Sequence, residues 1–184
     1  MKSSWPTALA FVWEPDNDGG GDHTDPGDSG GETNRGVTHA TWADMQARGV
    51  VPADVALRNA TLEQLGTVLK VGFWDACRCD ELPAGVDLAV FNPAMVAGPG
   101  RGIELLQAAV GVTVDGGFGP VTMAAVLRSD PEGLIRTLTL REENFYKLCP
   151  TAPTNLHGWD RRADECRDAA LKLAGATPAK ETTP

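Results

Sequence analysis

Positive charge is scarce in this chain: 16 lysines and arginines stand against 25 aspartates and glutamates, leaving a net charge of −9 over 184 residues and a sequence pI near 4.7. Such a balance provides no general attraction to phosphate backbones or anionic lipid, so nucleic acid is not an expected partner. Long apolar runs are also missing. The stretch from Trp5 to Trp13 is interrupted by Pro6 and runs into Glu14 and an acidic loop. It has neither the cleavage site of a secretory signal nor the ~20 apolar residues of a membrane span. Four cysteines, Cys77, Cys79, Cys149 and Cys166, form no C-x-x-C pair. That disfavours zinc and predicts buried or half-buried thiols, a Cys149–Cys166 bridge staying open for a protein outside a reducing compartment. No internal repeat supports a solenoid. With 42% hydrophobic and 22% charged residues, the chain has the makings of one folded domain, with room for a small appended subdomain.

Most of what is present reads as helix. Residues 5 to 13 form a short apolar helix that Pro15 stops, because the residue before a proline avoids helical geometry. From Pro15 to Gly31 the glycine-, aspartate- and proline-rich sequence cannot continue it and favours a hairpin or ordered loop. Thr38 is an N-cap for a helix from His39 to about Arg48, and Thr61 with Gln64 reads as a capping box ahead of Leu62, Leu65, Val68 and Leu69, a buried face. Gly85 to Ala97 is the most apolar segment and reads as a central core helix, tightened or kinked at Pro93 and ended by Gly98, Pro99 and Gly100. A second apolar helix carries Ile103, Leu105, Leu106, Ala109 and Val110. The turn VDGGFGP leads to a third from Val121 to Leu127. A helix from Pro131, capped by Ser129 or Asp130, carries Leu134, Ile135, Leu138, Phe145 and Leu148, and a last one runs from about Trp159 to Ala174. The tail from residue 176 is expected to be disordered.

Several chemistries fail on detail. Counted from Asp16 as an EF-hand, the twelfth position is Gly27, where a bidentate glutamate is needed. The glycines of the loop have no following G-K-[ST], and no G-x-S-x-G elbow accompanies His23, His39 or His157, which read as surface or structural histidines. What remains is carboxylates: Glu14 at the end of an apolar helix, then Asp25 and Asp28 in the loop and Thr33 beyond it. Glycoside hydrolysis needs a carboxylic acid to protonate the leaving oxygen and a second polar group for water or the developing cation. Beside Trp13 and apolar helix residues, Glu14 would lose solvation and hold its proton more tightly. On composition alone, a helix-end Glu and a set of Asx turns explain the same residues.

The stretches GGETNRGVT at Gly30 to Thr38, FWDACRCDELPAGVDLAVF at Phe73 to Phe91, AGPGRGIELLQAAVGVTVDGGFGP at Ala97 to Pro120 and HGWDRR at His157 to Arg162 resemble glycoside hydrolase family 108. The resemblance spans roughly residues 7 to 174. It implies phage endolysins and bacterial secretion-associated muramidases, acting on the β-1,4 bond between N-acetylmuramic acid and N-acetylglucosamine. The implied fold is lysozyme-like and mostly α (α+β), a helical bundle around a central apolar helix with a small β-hairpin next to the catalytic Glu. A catalytic region over 1–98 would be followed by a peptidoglycan-binding-like region over 99–175, packed into the same globule. Carried over by position, Glu14 is the general acid, Asp28 and Thr33 place water and sugar, and Asp25, Asn34, Asn92 and Arg101 contact substrate.

Three departures stand out. The family's Glu-Gly-Gly becomes Glu14, Pro15, Asp16 with a longer loop after it; Asn92 follows Phe91 where an Asp is usual; and Val96 replaces an Asn, implying a repacked core or an altered cleft floor. An alternative reading follows from them: a catalytically weak lysozyme-like scaffold that binds peptidoglycan, with a structural role in a virion as a third. The expected partner is bacterial peptidoglycan, with no cofactor and no metal, for a monomer. If phage-encoded, the chain would wait in the host cytoplasm for a separate pore-forming protein before acting on the cell wall. Arg35, Arg101, Arg161 and Arg162 are the candidates for a local basic patch.

Overall fold

The structure, a computed structural model, describes residues 4–14, 22–24 and 32–175. Asp25, Asp28 and the tail from residue 176 lie outside the described residues. The chain is mostly helical with a small antiparallel sheet, as the sequence predicts, and divides into two compact units, Trp5–Ala76 and the chain from Cys77 onward with the first four residues.

In the first unit, α1 (Trp5–Val12) precedes β1 (Asp22–Thr24), β2 (Glu32–Asn34) and β3 (Val37–Thr38), which pair in that order. Asn34 faces Val37 across a two-residue turn, Arg35–Gly36, and both turn residues have positive φ, 47° and 81°. That geometry matches the twist of a tight hairpin; glycine takes it freely, while Arg35 carries a left-handed backbone at a cost of order 1 kcal/mol. Thr38 then caps α2 (His39–Ala47), its hydroxyl accepting from the Thr41 N–H at 3.3 Å. Trp42 is buried and its indole N–H donates to Val55 O at 2.9 Å.

The capping box on α3 (Leu62–Leu69) is complete: Gln64 N–H donates to Thr61 Oγ1 at 3.2 Å and Thr61 N–H to Gln64 Oε1 at 2.9 Å. Leu65, Val68 and Leu69 are buried as expected, but Leu62 is 53% exposed, because the first helical residue stands at the helix end, ahead of the stripe that packs. Beyond Leu69 the backbone widens into a π-turn, Lys70–Trp74, closed by Asp75 N–H to Lys70 O at 2.8 Å. Lys70 pairs with Asp75 and sits 5.8 and 5.9 Å from the rings of Trp5 and Trp74, themselves edge-to-face at 5.4 Å. A cation held over two aromatic rings and a carboxylate compensates the poorer π-helical geometry.

In the second unit, α4 (Val86–Ala97) is buried without a break from Val86 to Ala94 and continues through Pro93. Gly85 ahead of it has φ +87°, and a Cβ there would lie 2.2 Å from Ala170 O, so only glycine fits. Asp87 folds back over this corner, accepting from Gly85 N–H at 2.8 Å and Leu88 N–H at 2.7 Å. Burial lifts its pKa, the hydrogen bonds opposing it. Gly98 ends α4, and Pro99 opens α5 (Pro99–Val110) at once, because proline is favoured in a first helical turn. At the α4–α5 crossing, a Cβ on Gly102 would meet Val90 O and Ala94 Cβ at 2.9 Å. Val96 is half out in solvent at the end of α4 and belongs to no repacked core.

Gln107 of α5, almost fully buried, clamps the VDGGFGP turn. Its Oε1 accepts from the Asp115 and Gly116 N–H groups, both at 2.9 Å, and its Nε2 donates to Asp115 Oδ1 at 2.7 Å and Gly117 O at 2.9 Å. After α6 (Pro120–Arg128), Asp130 caps α7 (Pro131–Lys147) by accepting from Gly133 N–H at 2.8 Å. Leu134, Ile135 and Leu138 are buried, whereas Leu148, past the last turn, is 84% exposed. The last helix, α8 (Ala152–Leu173), starts well before Trp159, since Pro153 is tolerated in a first turn and Trp159 stacks against Tyr146 at 5.1 Å. All four cysteines are free thiols, three buried and Cys149 half-buried.

Candidate active site

Glu14 leaves α1 on a tight turn, its N–H donating to Phe11 O at 3.3 Å and that of Trp13 to Leu9 O at 3.1 Å. Its side chain is exposed to solvent. The desolvated setting expected from its apolar neighbours is therefore not what surrounds the carboxyl. Trp13, the residue before it, lines a mainly apolar groove of about 420 Å³ between α1 and α3, together with Trp5, Leu9, Leu62, Gly66 and Lys70. Gly66 lies against this ring, where a Cβ would stand at an ordinary contact distance of 3.6 Å.

Thr33 and Asn34 lie on β2 in the same unit as Glu14. Thr33 pairs with His23 and Thr38 across the sheet and is buried. The Asn34 amide donates to Leu57 O at 3.2 Å, so its nitrogen is engaged in fastening the sheet to the 3-10 turn Leu57–Asn59.

Asn92 requires a correction. It is 0% exposed, its Nδ2 donates to Glu142 Oε1 at 2.8 Å and its Oδ1 accepts from Arg162 Nε at 2.8 Å, so the amide is turned into the core and out of a substrate's reach. The same Glu142 oxygen accepts from Tyr146 O–H at 2.6 Å. Burial lifts the Glu142 carboxyl to about 7, against the Tyr146 and Asn92 hydrogen bonds and the Arg162 charge, and pushes the Tyr146 phenol well above its ordinary value. This Asn92–Glu142–Tyr146–Arg162 cluster joins α4, α7 and α8. Sequence reasoning missed it, although a polar residue in the most apolar helix was its visible signal. Arg162 is thereby removed from the basic-patch candidates, being buried. Arg101 keeps a half-exposed guanidinium, ion-paired to Glu104 at 2.6 Å and 4.7 Å from the Phe145 ring. Among the described residues no group of three His, Cys, Asp or Glu side chains is placed to hold a metal ion.

The chain thus combines helices around a buried apolar helix with a three-stranded sheet and an exposed acid that closes an apolar first helix. The sequence model for glycosyl hydrolase 108 matches residues 16–98, and that of a predicted peptidoglycan domain matches 101–164. The first match contains the sheet and α4 and begins just beyond Glu14. No curated protein matches the chain. Among solved structures, SagA of Brucella abortus is 33% identical, with a TM-score of 0.84 over 95% of this chain and 97% of that one. The chain belongs to the glycosyl hydrolase 108 family. With a glycoside hydrolase segment joined to a peptidoglycan domain, it is a peptidoglycan hydrolase. The two family matches meet between residues 98 and 101, whereas the packing divides at Cys77, so α4 goes with the first by sequence and with α5, α7 and α8 by contact.

Proposed function

We propose that the chain is an N-acetylmuramidase that cleaves the β-1,4 bond between N-acetylmuramic acid and N-acetylglucosamine, with Glu14 as general acid. The observation that carries this reading is the exposed Glu14 directly after Trp13, whose indole lines the groove beside α1. An aromatic wall next to an accessible carboxyl suits a sugar ring and its leaving oxygen. In the reaction, the Glu14 carboxylic acid gives its proton to the glycosidic oxygen as the C–O bond breaks and positive charge develops on the sugar ring. Asp28 and Thr33 position the water that adds to the anomeric carbon, and the proton of that water passes to a carboxylate.

Reducing ends released from purified sacculi, compared for the wild-type chain and Glu14→Gln, test the proposal. Loss of release in a folded Glu14→Gln protein, with N-acetylmuramic acid at the new reducing ends, is the expected result. N-acetylglucosamine at those ends would overturn the bond assignment, and an active Glu14→Gln would overturn the acid. No release by either protein, with sacculus binding retained, would point instead to the weakly catalytic, glycan-binding scaffold. No described helix is long and apolar enough to cross a membrane; for an enzyme made in a host cytoplasm, we assign passage to the wall to a separate pore-forming protein.

A further inference from the structure

Helix α8 has two working faces. Arg162, Ala163, Cys166 and Ala170 are buried, and Trp159 on the same side stacks on Tyr146. Pro153, Leu156, His157 and Asp160, at i, i+3, i+4 and i+7, form a second stripe, with Pro153 and His157 exposed and Leu156 and Asp160 half-buried. This stripe lines a groove of about 760 Å³ whose opposite wall is Lys147, Cys149 and Pro150, at the end of α7. Every one of these residues falls within the segment matched by the predicted peptidoglycan domain, 101–164. The HGWDRR sequence is thus divided: Trp159 and Arg162 serve the core, while His157 and Asp160 face the groove.

Asp160 makes the groove chemically specific. Its Oδ1 is shielded from solvent yet accepts no hydrogen bond among the described residues. A carboxylate with one oxygen shielded from water and no donor from the protein is poorly compensated, and a cation approaching the oxygen that remains open to the groove offsets that cost. The surrounding Ala152, Pro153 and Leu156 suit small apolar groups, and Lys147 stands on the rim. Peptidoglycan stem peptides combine alanine methyl groups, carboxylates and, on a diamino acid, a primary ammonium. We propose that this groove binds the stem peptide, with Asp160 as acceptor for the free ammonium of its diamino acid. The inference rests on the peptidoglycan reading above and adds a peptide site to the glycan chemistry of that reading.

Calorimetric titration of the full chain tests it, with synthetic L-Ala–γ-D-Glu–diamino acid tripeptides carrying either lysine or meso-diaminopimelate, and with their side-chain N-acetyl derivatives. Binding of at least one free tripeptide is expected, weakened tenfold or more by acetylation and equally by Asp160→Asn. Preference for the diaminopimelate form would add Lys147 as partner to the neighbouring carboxylate; equal binding of both would leave the ammonium as the sole determinant, and either outcome supports the site. Leu156→Arg, which puts a cation into the groove, is expected to abolish binding and is the second variant should Asp160→Asn not fold. Bound tripeptide is also expected to slow native alkylation of Cys149, the half-buried thiol in the wall. No binding of either tripeptide, equal binding of acetylated forms, or full binding by folded Asp160→Asn would overturn the proposal. Failure here with sacculi still hydrolysed leaves the muramidase reading standing; wild-type protein that neither binds nor cuts sacculi removes both.

Discussion

Replacing Glu142 by Gln tests the buried cluster through its dependence on pH. The Glu142 carboxyl is held at about 7 against an ordinary value of 4.5, burial being the main cause. An acid whose pKa is raised on folding keeps its proton in the folded state after the unfolded chain has lost it. Its contribution to stability is therefore complete below about pH 4.5, declines as pH rises to about 7 and is lost above that. At about 1.4 kcal/mol per pH unit, the span amounts to about 3 kcal/mol. The amide that Glu142→Gln introduces still offers an oxygen to Asn92 Nδ2 and Tyr146 O–H but has no proton to lose. Removing the carboxylate also leaves the Arg162 charge with less compensation, so absolute stability falls by an amount the slope does not report. Urea unfolding followed by circular dichroism from pH 4.5 to 8 provides both profiles. Asp87, also raised by burial, contributes to the same downward trend in both proteins, while Glu81 and Asp115, held low by Arg78 and Gln107, act in the opposite sense below pH 4.5. The difference between the two proteins isolates Glu142. Stability falling by a few kcal/mol more in wild type than in Glu142→Gln is the expected result, and parallel profiles would refute a proton held in the cluster.

Other substitutions probe the packing that places these groups. Gly85→Ala sets a methyl group against Ala170 O at 2.2 Å and a side chain on a φ of +87°, so a loss of roughly 3 kcal/mol or more is expected in urea unfolding, and an unchanged midpoint would disprove the close approach of α8 to the start of α4. Leu106→Ala, at a fully buried position, is expected to cost about 2–5 kcal/mol by the same measurement; a negligible cost would remove α5 from the core. Thr61→Ala takes away one half of a capping box and is expected to cost about 1 kcal/mol, seen as a lowered thermal midpoint.

The parts of the fold legible in the sequence are those decided by local chemistry. Thr38, Thr61 and Asp130 cap helices through bonds to residues three positions on, and the sequence carries both partners within one turn. The π-turn at Lys70–Trp74 was not legible, because it depends on Trp5, far away in the chain, as well as on Asp75. Apolar periodicity also overran the helix ends: Leu62 and Leu148 continue the pattern but stand where the partner surface stops. At the candidate site, Glu14 was legible as a lone acid ending an apolar helix, while its exposure depends on what packs around it. Asp28, central to the water-positioning part of the proposal, lies outside the described residues.

Asn92 shows why polarity in a core helix is ambiguous from sequence. A polar side chain in an apolar segment must be satisfied, and the satisfying group is either a ligand or another part of the chain. Here the partners are Glu142 and Arg162, 50 and 70 positions away, and the amide orientation is forced: Arg162 can only donate, so Oδ1 faces it and Nδ2 faces the carboxylate. An Asp at this position would lack the donor and would face Glu142 with a second negative charge, leaving Arg162 to balance both. The amide removes that repulsion while keeping the bridge between α4, α7 and α8. The Asn92 amide is therefore matched to the carboxyl buried on α7, and it affects how the α8 face bearing Asp160 is held more directly than any contact with a glycan. Asn92→Asp should accordingly lower stability most at neutral pH, where both carboxyls compete for Arg162, and least near pH 4.5, where Glu142 is protonated; the opposite order in urea unfolding would contradict this account of the cluster.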